Sequence, residues 1–229
     1  MPRVIAERDN MHSARIVAYT MPTASTLNPG QFVAYVARVS NPQNQESHAT
    51  GPKLLRYLVK HRHWSPFEMA HVVMEIETTR DIARQILRHR SFSFQEFSQR
   101  YADPTAALGF SLRDARLQDD RNRQNSIATD DAELQTWWTQ AQAKTVSMAR
   151  HLYDEAISRG IAKEQARSLL PEGLTVSRLY MAGSLRSWMH YCELRTGPET
   201  QAEHRAVARS AWSAIVDLYP DIADAVEVR

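Results

Sequence analysis

The chain has 229 residues, a hydrophobic fraction of 43% and a formal net charge of +2, which is near zero for its size. The hydrophobic content is sufficient for a buried core, which excludes disorder over most of the length. The small net charge argues against a general nucleic-acid or membrane-surface binder, since such proteins carry a large basic excess.

Cysteine usage and apolar runs bear on the cellular compartment. The single cysteine, Cys192, excludes an intrachain disulfide, so nothing indicates a secreted, disulfide-stabilised scaffold. No apolar run approaches the roughly 18–20 residues of a membrane span, and the first residues, MPRVIAERDNMH, lack the uncharged core of a signal peptide. We therefore expect a cytoplasmic protein with no membrane partner and no nucleic-acid partner.

Apolar patterns divide the first half of the chain into strands and helices. RIVAYTM at 15–21 predicts a strand, and QFVAYVARVS at 31–40 predicts a helix with Val39 on its apolar face. The pattern then predicts a loop at 41–51, a helix at 52–62 with proline in its first turn, and a strand at 67–78 with alternating apolar and polar residues.

A concentrated polar segment follows this strand. The period changes to that of a helix at TTRDIARQILRHR, residues 78–90, with a threonine N-cap and Arg-His-Arg in the last turn. The segment RHRSFSFQEFSQRY, residues 88–101, continues without glycine or proline. It is either a solvated basic loop or a surface that holds an anion, because cationic residues also commonly complement a helix C-terminus.

The second half of the chain is mostly helical. Residues 111–130 are polar, carry charges of both signs and predict an exposed, mobile insertion. The remaining pattern predicts a long helix at 131–160 stopped by Gly160, a short helix from 162 that ends before Pro171, a strand at 173–183, a helix at 184–196 with Ser184 as N-cap, and a last helix at 198–219. The expected fold class is α+β, with one sheet in a single domain over 1–229.

Several familiar sites are missing from the sequence. There is no glycine-rich phosphate loop and no H-E-x-x-H motif. The histidines at 61, 63, 71 and 89 match no known ligand spacing, so we predict no metal site. Cys192 lies in an amphipathic helix pattern, which is more typical of a buried structural cysteine than of a nucleophile.

Four short blocks, in order along the chain, resemble the flavin-dependent thymidylate synthases. That family's signature is Arg-His-Arg followed, after seven variable residues, by serine, and the chain has RHR at 88–90 and Ser98. HWSPFE at 63–68 precedes it, and ARSLLP at 166–171 and ELRTGPETQAE at 193–203 follow it. The resemblance implies an α+β fold with a central antiparallel or mixed sheet and several long helices, assembled as a homotetramer with shared active sites.

The resemblance also implies a reaction. The family makes dTMP from dUMP with 5,10-methylenetetrahydrofolate as one-carbon donor and NADPH-reduced FAD as hydride source, and no cysteine attacks the uracil. Arg195 would be catalytic, because a fixed cation against the pyrimidine favours ionisation at N3. Arg167 would reach dUMP from a neighbouring subunit. The positions that match dUMP ligands are Gln85, Arg88, Glu96, Phe97, Ser98, Gln99, Arg100, Arg167 and Arg195.

A second group of positions matches the family's flavin contacts. They are Ser40, His63, Ser65, Arg88, His89, Arg90, Glu96, Ser184, Leu185, Arg186 and His190. Three residues depart from the family pattern: Gln95 and Ser184 stand where asparagine is common, and Met69 replaces a frequent histidine. These departures bear on individual flavin contacts and not on the reaction.

Two further function classes fit the same arginine cluster. A non-catalytic nucleotide- or RNA-binding protein would use the arginines for phosphates, although the near-neutral charge argues against extended nucleic acid. A degenerate member of the family would bind flavin without turning over dUMP. The flavin content of the purified protein separates the first of these from an enzyme.

Overall fold

The computed structural model describes residues 11–23, 26–223 and 228 of the chain. The N-terminal segment analysed for a signal peptide therefore lies mostly outside the described residues. In the first half, the elements are β1 (Ser13–Tyr19), α1 (Pro29–Ala37), α2 (Gly51–Lys60), β2 (His71–Thr79), α3 (Arg80–Ile86), β3 (Ser93–Glu96) and α4 (Pro104–Ala107).

The second half contains a small hairpin, the longest helix and the strand that completes the sheet. These elements are β4 (Arg116–Gln118), β5 (Ser126–Ala128), α5 (Ala132–Ser158), α6 (Lys163–Ala166), β6 (Val176–Ser184), α7 (Leu185–Arg195) and α8 (Ala202–Leu218). Short 3-10 helices lie at Pro42–Asn44, His48–Thr50, Ser65–Glu68, Arg167–Leu169 and Pro220–Ile222.

The main sheet has four strands in the order β1-β2-β6-β3, and each neighbouring pair is antiparallel. The central pair is β2 and β6, with His71 opposite Ser184 and Thr79 opposite Val176. The expected α+β fold with a central antiparallel or mixed sheet is confirmed, and its antiparallel form is the one observed. The hairpin of β4 and β5 forms a separate two-stranded sheet.

The two faces of the main sheet differ because β2 alternates apolar and polar residues. Val72, Met74 and Ile76 are fully buried, in one core with residues of β6, α7 and α8. On the opposite face Glu75 accepts hydrogen bonds from Arg15 Nε and Tyr180 Oη at 2.8 and 2.7 Å. One face therefore packs on helices and the other presents paired polar groups, as period-two alternation dictates.

Two predicted helix ends are confirmed by their capping geometry. Ser184 is the N-cap of α7, and its hydroxyl oxygen accepts a hydrogen bond from the backbone N–H of Ser187 at 3.3 Å. Gly160 follows α5 with φ of +83°, the left-handed conformation that glycine adopts without steric cost. Both ends were predictable because capping depends on residues close together in sequence.

The polar segment after α3 differs from its prediction. The helix ends at Ile86, so Arg88–Arg90 lie in the following turn and not in a last helical turn. Residues 93–96 then form β3, which pairs with β6 and was not predicted. A four-residue strand at the sheet edge leaves little pattern in the sequence, and its pairing with a strand more than eighty residues away decides its existence.

Other element boundaries were also wrong. The helix at 31–40 ends at Ala37, and Val39 is 71% exposed instead of lying on a buried face. The strand expected from 67 begins at His71, because 65–68 form a 3-10 helix. The last helix begins at Ala202, after a turn at 197–200.

The segments expected to be irregular have structure of their own. The loop at 41–51 contains two of the 3-10 helices. The polar segment at 111–130 contains the β4–β5 hairpin, and Arg116 forms an ion pair with Glu203 of α8. The mobility of this segment stays a prediction. No helix within the described residues is long and apolar enough to span a bilayer.

Candidate active site

The turn between α3 and β3 lies on the surface of α7. The ring of Phe92 packs edge-on against Trp188 with centroids 4.9 Å apart, and Ser187 Oγ donates to the carbonyl of Ser91 at 3.3 Å. A Cβ atom on Gly183 would lie 2.4 Å from the Phe92 ring, so glycine in β6 allows this close approach. The packing fixes the Arg-His-Arg turn relative to α7.

Beside this turn, six side chains from α3, the turn, α7 and the start of α8 form two hydrogen-bonded sets, which touch where the rings of His89 and Tyr191 lie with centroids 4.9 Å apart. Arg195 Nε donates to His89 Nε2 at 2.9 Å, and Gln85 Nε2 donates to Gln201 Oε1 at 2.9 Å. His204 extends the Gln85 set to Tyr191: its Nδ1 lies 3.2 Å from Gln85 Oε1 and its Nε2 lies 3.1 Å from Tyr191 Oη. We refer to this group as the Gln85 cluster, which comprises Gln85, His89, Tyr191, Arg195, Gln201 and His204.

Burial keeps the imidazoles of this cluster neutral. It lowers the pKa of His89 to about 4, with a further contribution from the charge of Arg195. Burial, assisted by Arg195 and His89, lowers the pKa of His204 to about 3. The pKa of the fully buried Tyr191 hydroxyl is raised, also by burial. Arg195 therefore carries the positive charge of the cluster near neutral pH.

A second group surrounds the carboxylate of Glu96 at the end of β3. Ser177 Oγ donates to Glu96 Oε1 at 2.9 Å, and Arg80 and Arg84 lie 3.5 and 3.8 Å from its two oxygens. Arg84 also pairs with Glu172, whose Oε1 lies 3.4 Å from Arg84 Nε. This carboxylate holds two arginines of α3 in place beside the segment that follows β3.

The segment after β3 is ordered by its own turn. Phe97 N donates to the Arg178 carbonyl at 2.8 Å, and the Ser98 carbonyl accepts from the N–H groups of Tyr101 and Ala102. Ser98 Oγ accepts from the backbone N–H of Arg100 at 3.4 Å. These contacts arrange residues 97–101 along the surface without glycine or proline.

Two of the expected dUMP ligands, Arg100 and Arg167, meet at one residue of α6. Arg100 Nε lies 3.5 Å from a carboxylate oxygen of Glu164, and Arg167 Nε donates to the Glu164 carbonyl at 3.3 Å. Arg167 also lines a cleft of about 360 Å³ with Arg80, Arg84 and the buried Gln99. A neighbouring cleft of about 440 Å³ is lined by Glu96, Phe97, Ser98 and others.

A third group lies at the start of α7. Arg186 Nη1 donates to Glu68 Oε1 at 2.7 Å, and hydrogen bonding by Ser184 and then Arg186 lowers the pKa of Glu68. The ring of His190 stands edge-on to Trp64 with centroids 4.6 Å apart. Burial and then the charge of Arg186 lower the pKa of His190. The HWSPFE block and the start of α7 thus form one surface.

The remaining expected flavin ligands have more varied surroundings. Ser40, His63, Ser65, Arg88 and Arg90 are exposed. Leu185 is fully buried in the core, and its N–H donates to the Ala70 carbonyl at 2.7 Å, so neither its side chain nor its N–H faces the surface. The structure therefore brings together Ser184, Arg186 and His190 with the 64–68 segment, whereas Ser40 and His63 lie outside these groups.

Three members of the Gln85 cluster received no role from the sequence. Gln201 lies in the fourth matching block, but nothing there indicated that it contacts Gln85. His204 occupies the first position of the apolar stripe that continues through Val207, Ala208 and Ala211 of α8, all fully buried. The sequence could have indicated His204 through this position, because an imidazole in an otherwise apolar stripe is buried and needs hydrogen-bond partners.

The single cysteine and the metal-binding types of side chain are the remaining candidates for chemistry. Cys192 is fully buried, as predicted, and burial raises the pKa of its thiol far above the ordinary value. Among the described residues, no group of three or more His, Cys, Asp or Glu side chains is arranged to hold a metal ion.

Comparison with known proteins gives consistent matches over most of the chain. The family model of thymidylate synthase complementing protein (Thy1) matches residues 21–221. A probable flavin-dependent thymidylate synthase of Paramecium bursaria Chlorella virus 1 is 44% identical over 94% of this chain and 99% of that protein. A flavin-dependent thymidylate synthase of Synechocystis is 46% identical over 93% of this chain and 98% of that protein.

Solved structures agree with these sequence matches. The UMP/dUMP methylase PolB from Streptomyces cacaoi, bound with 5-Br dUMP, superposes with a TM-score of 0.78 at 26% identity, over 93% of each chain. The same enzyme bound with 5-Br UMP gives a TM-score of 0.79, over 98% of this chain and 96% of that one.

Proposed function

The chain belongs to the flavin-dependent thymidylate synthase family, and we propose that it forms dTMP by reductive methylation of dUMP. In this proposal 5,10-methylenetetrahydrofolate is the one-carbon donor, FAD provides the hydride and NADPH is the reductant. PolB, which is similar over nearly the whole chain, was crystallised with a brominated dUMP. That similarity supports dUMP as the substrate.

The Gln85 cluster is the observation that carries the proposal. Gln85, His89 and Arg195 match the family's dUMP and flavin positions and converge from three segments: Arg195 donates to His89, and the His89 ring packs on Tyr191, which is linked through His204 to Gln85. A solvated basic loop gives no reason for such convergence. The arrangement suits a planar, polar ring held between α3 and the end of α7.

The residues expected to bind FAD suit a diphosphate and an aromatic ring system. Arg88 and Arg90 are exposed in the turn, and no hydrogen bond or ion pair of their side chains is found within the described part of the chain. Arg186 and His190 stand on the first two turns of α7 beside Trp64. When bound, the flavin supplies the hydride that completes the methyl group.

The protein's own residues then orient dUMP and stabilise charge. Arg195 donates to His89, and its guanidinium in this partly buried position favours negative charge at N3 of the pyrimidine. Ser98 and Arg100 bind the nucleotide phosphate, and Arg167 of a neighbouring subunit also holds dUMP. Glu96 holds Arg80 and Arg84 beside the cleft that receives it. Positioning and electrostatics are thus the protein's contribution.

A homotetramer is part of the same proposal. Helix α5 is 27 residues long, and Trp137 near its start is 60% exposed. Large exposed aromatic side chains are enriched where subunits meet. Such contacts would bring Arg167 of one subunit to the site of another.

The proposed reaction does not use a cysteine nucleophile, and this leads to a prediction. A fully buried thiol with a raised pKa is neither accessible nor ionised near neutral pH. Cys192→Ala should therefore retain dTMP formation within about threefold, with a modest loss of stability from the smaller side chain. Turnover below about one per cent in a variant that folds and binds flavin would contradict a cysteine-free reaction.

The experiment that tests the function starts from the purified protein. We expect flavin absorbance, or its recovery on adding FAD, and dTMP formation that requires dUMP, 5,10-methylenetetrahydrofolate and NADPH together. A colourless protein that FAD cannot reconstitute would instead favour non-catalytic nucleotide or RNA binding. Flavin binding without turnover would identify a degenerate family member.

A further inference from the structure

We propose that His204 is a positioning residue that fixes the side-chain amide of Gln85 as a hydrogen-bond donor toward the nucleotide. The inference rests on the proposed function in one respect, namely that Gln85 contacts dUMP. His204 lies on α8 with its side chain fully buried, and it acts through Gln85 instead of touching the ligand itself.

The direction of each hydrogen bond follows from the amide oxygen of Gln85. That oxygen can only accept, so the His204 Nδ1 atom, 3.2 Å away, must carry the proton. A neutral imidazole has one donor and one acceptor, so His204 Nε2 accepts from the Tyr191 hydroxyl at 3.1 Å. The relay therefore runs from Tyr191 through His204 to Gln85.

The relay is closed to water, which makes its direction stable. His204 is fully buried and Tyr191 is 1% exposed. Reversing the Gln85 amide while Nδ1 stays protonated would leave that buried donor unpaired, which costs about 1–3 kcal/mol. Reversing the amide and the tautomer together would place Gln85 Oε1 against the acceptor Gln201 Oε1. On its other side, Gln85 Nε2 donates to Gln201 Oε1 at 2.9 Å, and that contact holds the same orientation.

The fixed orientation determines what Gln85 can offer a ligand. One hydrogen of its amide nitrogen is used by Gln201, and the second is left for the substrate. The ligand atom that meets Gln85 must then be an acceptor, such as a carbonyl or hydroxyl oxygen. Without His204, the amide could turn and present its oxygen, so Gln85 would no longer offer a fixed hydrogen-bond donor to the ligand.

The first test measures the tautomer of His204 directly. Nitrogen-15 NMR of the full-length protein labelled at histidine, with His204→Asn to assign the signal, should give a protonated Nδ1 and an unprotonated Nε2. The opposite tautomer would overturn the proposal. This measurement needs no activity, so it remains informative even if the protein does not bind dUMP, a result that would count against the proposed function instead.

The second test compares two substitutions of His204 by their affinity for dUMP. In His204→Asn the side-chain NH₂ can replace Nδ1 as donor to Gln85, whereas His204→Leu offers no donor. We expect the leucine variant to bind dUMP about tenfold more weakly, the effect of one neutral hydrogen bond, and the asparagine variant to stay within about threefold of wild type.

Flavin content and thermal midpoint of both variants show whether the fold is retained. Equal losses of dUMP affinity in two folded variants would mean that His204 only fills space, and the proposal would fail. If the leucine variant does not fold, Tyr191→Phe replaces it. That change keeps the ring and removes the donor to Nε2, so the NMR signals of His204 should become those of mixed tautomers, and an unchanged tautomer would contradict the relay.

Discussion

Replacing Arg195 by alanine should lower the rate of dTMP formation by about 10²–10³-fold while FAD stays bound. The guanidinium is the charge of the Gln85 cluster, and removing one preorganised electrostatic group from an active site typically has an effect of this size. Arg195 contacts the turn through His89, but the other expected flavin contacts, at Arg88, Arg90 and the start of α7, do not involve it. Single-turnover rates and flavin absorbance measure the two effects separately.

The same substitution has a second readout within the cluster. Burial and then the charge of Arg195 lower the pKa of His89 to about 4, so the pKa should rise toward its ordinary value when that charge is removed. An NMR titration of His89 reports this change. Arg159→Ala is a matched control, because Arg159 is 72% exposed and pairs with Glu155 at the end of α5. Turnover near wild type in Arg195→Ala would refute the assigned role.

Arg100→Ala should weaken dUMP binding by about tenfold to a hundredfold and change the rate at saturating dUMP much less. A charge-assisted hydrogen bond to phosphate is worth about 1.5–3 kcal/mol. Arg100 is exposed and its partner Glu164 lies at 3.5 Å, so the guanidinium can turn to a bound phosphate at little cost. Isothermal titration with dUMP measures the change.

A control and a salt series sharpen the Arg100 prediction. Arg15→Ala removes another exposed arginine, one that pairs with Glu75 on the polar face of the sheet. It should leave dUMP affinity unchanged. Wild-type affinity should fall as salt increases, and this dependence should be smaller in Arg100→Ala because one phosphate contact is gone. Equal affinities of wild type and Arg100→Ala would count against the phosphate assignment.

The sequence was sufficient for elements whose cause is local. The alternation of apolar residues in β2 and the serine cap of α7 both depend on residues within a few positions of each other. The β3 strand and the end of α3 at Ile86 were not predictable in this way. They are decided by pairing with β6 and by packing of Phe92 on Trp188, which are contacts between distant parts of the chain.

The candidate site likewise contains residues that the sequence indicated and residues that only the folded structure reveals. Gln85, His89 and Arg195 came from the resemblance of ordered blocks to a family, and the structure brings them into one cluster. His204 and Tyr191 carry no motif. Their roles arise because α8 and α7 pack so that two buried polar groups face each other and Gln85, and only the assembled fold reveals that arrangement.

The central pairing of β2 with β6 has a consequence for how the chain acquires activity. Glu77 and Arg178, which face each other across this pair, are 101 residues apart in sequence. A chain emerging from the ribosome must therefore keep one edge of β2 and its apolar face without their final partners until β6 is made. Such an edge can pair with another chain. The Gln85 cluster needs α7 and α8 as well, so it forms only in a late, non-local folding step.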